Sequence, residues 1–269
     1  MRVALVQMNS QDDKAVNLER AEGLVAQAAA WGPDLVVLPE LWTYLGPRKR
    51  HAGVAEPIPG ETSELLGRWA SRYRFWLVGG SYLESVEGSE RFFNTSVALS
   101  PDGNLVARYR KLHLFDVEVD GKTYRESATI APGAETVVIQ LGRASVGLSV
   151  CYDLRFPELY RRLAAQGARL VTVPAAFTLD TGKDHWEVLL RARAIENQVW
   201  VLAPAQCGPH PPAYACYGNA MVVDPWGVVR ARAGYREGVI IADVDFAEQE
   251  RIRQSLPALG HRREDVFTY

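Results

Sequence analysis

Three polar residues each stand at the end of a predicted strand in this 269-residue chain. Glu40 follows Leu35-Val36-Val37-Leu38-Pro39, Lys111 follows Ala107-Arg108-Tyr109-Arg110, and Cys151 follows Val146-Gly147-Leu148-Ser149-Val150. Open α/β sheets gather ligands beyond their strand ends, so a carboxylate, an ammonium and a thiol placed this way can meet in one cleft. Singly, each has a plain structural reading: a solvated edge charge for Glu or Lys, a small buried hydrophobe for Cys. Together they make acyl transfer possible. A free thiol near pKa ~8.5 is mostly protonated at neutral pH, and the N-terminus of the helix expected after Cys151, with the Lys111 ammonium, predicts a lowered value. Glu40 takes the thiol proton as general base. The Lys111 ammonium and the Tyr152 backbone N–H are the natural donors to the oxyanion that forms when sulfur attacks a carbonyl. Glu40 then protonates the departing ammonia and activates the water that cleaves the thioester.

Other chemistries lack support. The chain has no Gly-x-x-x-x-Gly-Lys-Ser/Thr loop, no Gly-x-Gly-x-x-Gly after a strand, no Gly-x-Ser-x-Gly and no His-Glu-x-x-His. Cys207, His210 and Cys216 show no fourth ligand and no zinc spacing, so neither metal nor cofactor is expected. Lys plus Arg total 30 against 32 for Asp plus Glu, a net charge of −2, which argues against a nucleic-acid partner. Arg48-Lys49-Arg50 and Arg161-Arg162 read as solvated faces. No apolar run reaches the ~18 residues that span a bilayer, so no membrane partner is expected. Three cysteines are too few and too odd in number to staple the chain, which predicts a reducing, cytoplasmic compartment.

The elements that must position these residues alternate from the start. Strands are predicted over 2–8, 34–38, 75–82, 136–140, 144–150, 169–173, 199–205, 220–223, 228–231 and 239–244. A hairpin is predicted over 93–99 and 105–110, turned by Ser100-Pro101-Asp102-Gly103-Asn104. The 3.6-residue period marks a helix over 12–30, with further helices over 63–73, 157–166 and 184–198. The last of these is opened by Asp184 and Glu187 at capping-box spacing. Residues 112–133 read as a long functional loop. A short helix and a polar tail over 257–269 end the chain. No composition shift marks a boundary, so one domain of α/β layers over 1–269, with mixed strand directions, is expected.

Several linked segments carry a family resemblance. They are Leu38-Pro39-Glu40, Tyr109-Arg110-Lys111-Leu112-His113-Leu114-Phe115-Asp116, Val150-Cys151-Tyr152-Asp153-Leu154-Arg155-Phe156-Pro157-Glu158-Leu159, Arg191-Ala192-Arg193-Ala194-Ile195-Glu196-Asn197-Gln198 and Asp224-Pro225-Trp226-Gly227. In this order they resemble the nitrilase superfamily of carbon–nitrogen hydrolases, whose catalytic set is Glu, Lys and Cys. The resemblance implies a four-layer α-β-β-α sandwich and a homodimer or larger homo-oligomer, with the 257–269 tail docking on a partner subunit. It also implies that Glu126, in Arg125-Glu126-Ser127, orients Lys111 and helps position substrate.

Within the superfamily the chain looks most like the Nit branch, whose members act on deaminated glutathione or on α-ketoglutaramate. The implied substrate is a small linear amide with an α-keto acid end. Arg155 then pairs with the substrate carboxylate, or else forms a structural ion pair with Asp153 or Glu158. Phe177 and Thr178 become pocket walls, core packing being the other reading of Phe177. Cys216 and Asn219 stand where the branch pattern has Ser and His, and the 209–212 loop is also unusual; these departures bear on substrate and not on reaction class. Cleavage of an N-carbamoyl amine or a nitrile by the same machinery, and a catalytically idle scaffolding protein, are the competing readings.

Overall fold

The structure, a computed structural model, describes residues 1–119, 121–210, 214–263 and 265–266. Its first elements are β1 (Arg2–Gln7), α1 (Lys14–Ala29), β2 (Leu35–Val37), α2 (His51–Val54), α3 (Glu61–Tyr73), β3 (Trp76–Val78), β4 (Tyr82–Glu84), β5 (Phe93–Leu99) and β6 (Leu105–Arg110). Then come β7 (Asp116–Val119), β8 (Lys122–Arg125), β9 (Val138–Leu141), β10 (Ala144–Leu148), α4 (Pro157–Ala165), β11 (Leu170–Thr172) and α5 (Leu179–Asn197). The last are β12 (Trp200–Ala203), β13 (Cys207–His210), β14 (Tyr214–Tyr217), β15 (Met221–Val223), β16 (Val229–Arg232), β17 (Gly238–Asp243) and α6 (Phe246–Ser255).

Two sheets form the centre. One runs β17-β1-β2-β3-β5-β4 with β6 also on β5; the other runs β16-β15-β12-β11-β10-β9. Each holds a parallel trio, β1-β2-β3 or β10-β11-β12, flanked by antiparallel strands. The near-continuous apolar runs of the trios follow from burial on both faces. Val3, Leu5, Leu35, Val37 and Val78 share one core with Val146, Leu148 and Leu170 of the other sheet. Their neighbours Ala4, Val6, Val36, Leu38 and Leu77 pack instead with Ala21 and Val25 of α1 and Leu66 and Trp69 of α3. On the far side, Leu159 and Leu163 of α4 and Trp186 and Leu190 of α5 cover the second sheet. Each such side chain contributes roughly 1.5–3 kcal/mol on full burial, so the alternation drives the chain into four α-β-β-α layers. Among the described residues no helix is long and apolar enough to cross a membrane.

Local expectations are corrected at four places. The strand predicted over 75–82 is two strands, because Gly80 turns the chain with a left-handed φ of +58° and its α-carbon lies against the Pro39 carbonyl. The helix predicted from 184 begins at Leu179 with Thr178 as its N-terminal flank, so Asp184 and Glu187 lie inside it and do not cap it. The segment between β12 and β15 pairs as the β13–β14 hairpin, which carries no regular alternation. The loop predicted over 112–133 holds the β7–β8 hairpin and a single turn over Glu126–Ala128; its residue 120 lies outside the described residues. Residues 211–213 of the unusual loop, and 264 and 267–269 of the tail, also lie outside them.

Candidate active site

Glu40 lies just past the end of β2, an interior strand of the first sheet, and is 3% exposed. Its backbone is clamped: the Ser81 N–H donates to Pro39 O (3.1 Å), the Leu41 N–H to Ser81 Oγ (3.1 Å) and the Gln206 amide to Glu40 O (2.9 Å). Its carboxylate meets donors only. Oε1 accepts from Lys111 Nζ (3.0 Å) and Asn94 Nδ2 (2.8 Å), and Oε2 accepts from the Ala176 N–H (2.7 Å).

Lys111, at the end of β6, is 2% exposed and donates its own N–H to Asn94 O of β5 (2.9 Å). Its Nζ also reaches Glu126 Oε1 (3.1 Å) and Oε2 (2.8 Å). Glu126 opens its turn and accepts the Phe115 N–H on Oε2 (2.7 Å). The ammonium thus bridges two carboxylates.

Cys151 arrives from the second sheet, just beyond β10. It sits in a left-handed conformation, φ +47°, which costs a non-glycine residue energy and recurs at active sites. The Cys151 N–H donates to Pro174 O (2.9 Å) and the Val150 N–H to Asp153 Oδ2 (2.9 Å). Buried Asp153 also accepts from Tyr109 Oη (2.6 Å) and the His113 N–H (3.0 Å), tying the cysteine turn to the strand that carries Lys111. Leu41, directly after Glu40, is left-handed as well (φ +48°).

The electrostatics correct one expectation. Cys151 begins a short 3-10 turn over Cys151–Arg155, and α4 starts only at Pro157, so the helix expected directly after Cys151 does not begin at the thiol. Burial and the Glu40 carboxylate push the thiol well above its ordinary value, outweighing the lowering by Lys111. Burial would lower Lys111, but Glu126, Glu40 and the sulfur together raise it well above the usual ammonium range. The resting set is therefore a neutral thiol beside an ammonium held by carboxylates. Passing a proton from sulfur to Glu40 leaves the total charge of the cavity unchanged, and the groups titrate as one set.

These side chains face one cavity of about 190 Å³. Tyr152 lies on its wall with Phe115 edge-on at 5.0 Å. Phe177 and Thr178 line it too; Phe177 is tilted on Trp186 at 5.1 Å, and Thr178 Oγ1 lies 2.8 Å from Thr181 Oγ1. Arg155 is also there, 5.1 Å over the Phe177 ring, with Nη1 3.2 Å from His185 Nδ1. It forms no ion pair with Asp153 or Glu158. All eight site residues singled out from sequence line this cavity.

Sequence reasoning missed Asn94, Arg48 and Ala176, which line it as well. Asn94 is one polar residue within a strand, and Arg48 read as part of a solvated run; neither pattern signals a site. Cys207 and Cys216 are buried and unpaired. Asn219 holds Tyr217 O (2.9 Å) and Arg232 Nε (3.0 Å), both outside the cavity. Among the described residues no three His, Cys, Asp or Glu side chains gather as a metal site.

Comparison with known proteins bears on family, fold and reaction class. Residues 2–254 match the carbon-nitrogen hydrolase family. The chain is 44% identical over 263 residues to the deaminated glutathione amidase of Synechocystis sp., covering 96% of this chain and 97% of that one. It is 40% identical over 268 residues to omega-amidase NIT2 of Mus musculus, covering 99% and 96%. The crystal structure of the C. elegans NitFhit protein superposes with a TM-score of 0.92 at 37% identity, over 99% of this chain and 66% of that one. Sequence and fold agree over nearly the whole length, and the chain belongs to the carbon–nitrogen hydrolase family, as an enzyme that hydrolyses carbon–nitrogen bonds other than peptide bonds.

Proposed function

We propose that this enzyme is an amidase that cleaves the ω-amide of an α-keto acid, with deaminated glutathione its preferred substrate, through a thioester on Cys151. Substrate docks and the thiol proton passes to Glu40 Oε2 as sulfur bonds to the amide carbon. The oxyanion is met by the Lys111 ammonium and the Tyr152 N–H. Glu126 holds Lys111 in place. The C–N bond breaks as Glu40 returns the proton to the departing nitrogen. Glu40 then takes a proton from water, whose oxygen attacks the thioester carbon, and the proton ends on the Cys151 sulfur as the acid leaves. No group outside the chain is consumed except water.

The observation that carries the substrate reading is the pair of arginines on the cavity wall. Neither Arg155 nor Arg48 has a carboxylate partner among the described residues. Deaminated glutathione carries a carboxylate at each end, one beside the keto group and one on the dipeptide leaving group. Arg155 suits the first and Arg48 the second. α-Ketoglutaramate, the ω-amidase substrate, has one carboxylate and releases ammonia, so it engages a single arginine; it is the second reading, favoured by the relative that carries that name.

The test is a panel of deaminated glutathione, α-ketoglutaramate, an N-carbamoyl amine and a nitrile. Wild type should turn over the keto amides, with kcat/KM highest for deaminated glutathione. Cys151→Ala should abolish turnover and keep the fold. Arg48→Gln should lose about tenfold on deaminated glutathione and little on α-ketoglutaramate. Turnover by Cys151→Ala, or carbon dioxide release from the carbamoyl substrate with inert keto amides, overturns the reading. A homodimer is part of the same proposal, supported by exposed Val188 and Ile195 on α5 beside exposed Trp226 and Val228; the tail over 257–269 would then dock on the partner. Three buried, unpaired cysteines suit a reducing cytoplasm.

A further inference from the structure

Asn94 occupies an unusual position for a strand residue. It is 1% exposed, and Lys111 donates its backbone N–H to the Asn94 carbonyl. Its side-chain amide points its NH2 group between two acids, reaching Glu40 Oε1 at 2.8 Å and Glu126 Oε1 at 3.3 Å. The same two oxygens accept from Lys111 Nζ, so an ammonium and an amide bridge the carboxylates side by side. The cost is visible: Asn94 Oδ1 is buried without a hydrogen-bond partner among the described residues. A buried orphan acceptor in a native protein calls for an explanation, and the opposite rotation of the amide would aim its oxygen at two carboxylates.

We propose that Asn94 is a positioning residue, missing from the catalytic set identified from sequence, that directs all proton transfer to one oxygen of Glu40. This rests on the assignment of Glu40 as the base. With Asn94 and Lys111 both on Oε1, that oxygen has no acceptor direction left for a reacting proton. Oε2 has one donor, the Ala176 N–H, and keeps the other direction open. The thiol, the departing nitrogen and the hydrolytic water therefore exchange protons with Oε2 in turn. The amide also lets two acids sit beside one ammonium: donors to the charged form favour it, whereas unbridged like charges would drive one acid to protonate. Aspartate at this position would add a third negative charge to the cluster. Leucine would keep the volume and remove both the bridge and the orphan oxygen.

The experiment compares Asn94→Leu and Asn94→Asp with wild type in the full chain. It follows kcat and KM on deaminated glutathione and α-ketoglutaramate, the pH profile of kcat/KM, and the pH profile of Cys151 alkylation by iodoacetamide. Loss of one fixed donor should lower kcat about 100-fold with KM within about threefold. The low-pH limb of both profiles should move to higher pH, since one donor shared by the Glu40–Glu126 pair beside Lys111 has gone. A cooperative thermal transition for each variant checks that it is folded. Activity within about threefold of wild type in a folded Asn94→Leu, or a lost activity with both low-pH limbs unmoved, overturns the proposal. If wild type itself ignores both amides, the substrate reading fails, and the alkylation profiles still decide the role of Asn94.

Discussion

At the scale of single residues, the site sets one acid to a task that the thiol cannot do alone. Cys151 is buried and raised well above an ordinary thiol, with Glu40 among the causes and Lys111 opposing them. In the proposed mechanism a permanently ionised sulfur is therefore not the starting nucleophile; the thiolate would arise as Glu40 takes the proton. Replacing Glu40 with Gln should have opposite effects on two measurements. Amide turnover should fall by about 100-fold or more with the general base lost. The alkaline rise in Cys151 alkylation should shift to lower pH, because one influence that raises the thiol has gone while Lys111 remains. An alkylation profile that stays in place, or moves upward, would contradict this electrostatic account.

Elements decide whether such side chains can meet. The reactive residues stand beyond strand ends, and the backbone there is forced into shapes that extended chain does not take. Gly80 is the clearest case: it turns between β3 and β4 at φ +58°, and an added Cβ would strike the Pro39 and Leu38 carbonyls directly before Glu40. Gly80→Ala should cost on the order of 2 kcal/mol in stability, from left-handed strain alone before the contact is counted. It should also lower kcat by displacing Glu40. Denaturant unfolding and turnover of the purified variant check both, and a variant as stable and active as wild type would refute it. This glycine also explains the split of the strand predicted over 75–82: periodicity reports burial, and Leu77 and Leu83 are buried on either side of a turn that alternation does not register.

On the scale of the whole molecule, the cavity straddles the seam between the sheets. Glu40, Asn94 and Lys111 come from the first sheet, Cys151 and Ala176 from the second. The same packing buries many groups that must keep their protons. Burial raises Cys151, Cys216, Tyr82, Tyr109, Tyr160 and Tyr214, and pushes Cys207 up to about 11; Lys111 is raised against its burial by its acidic neighbours. Unfolded, cysteine releases its proton near pH ~8.5, tyrosine near ~10 and lysine near ~10.4. The folded chain holds these protons longer. Their contribution to stability is thus complete below about pH 8.5 and is lost as pH rises further. The thermal midpoint should fall steadily between pH 8.5 and 11, and a flat profile there would refute this. On the acid side His51, lowered to about 4 by burial, stays neutral in the fold while the unfolded chain takes up its proton near ~6.5. That contribution fades as pH falls through this window.

Much of this was legible before any coordinates. Apolar runs ended by Glu40 and Cys151 announced the two sheets, because strands buried on two faces need continuous hydrophobicity and a lone polar residue at such an end stands out; the strand before Lys111 carries two arginines and is partly exposed. The β5–β6 hairpin was equally plain from its Pro-Gly turn. Charge state was not legible, since the value of the Cys151 thiol depends on how deeply it is buried and on which acid faces it. Nor were Asn94 and Arg48, whose neighbours in the chain are ordinary; their importance comes from residues 54 and 103 positions away. Local order along the chain is written in periodicity, but the meeting of side chains across a seam between two sheets is a property of packing in three dimensions.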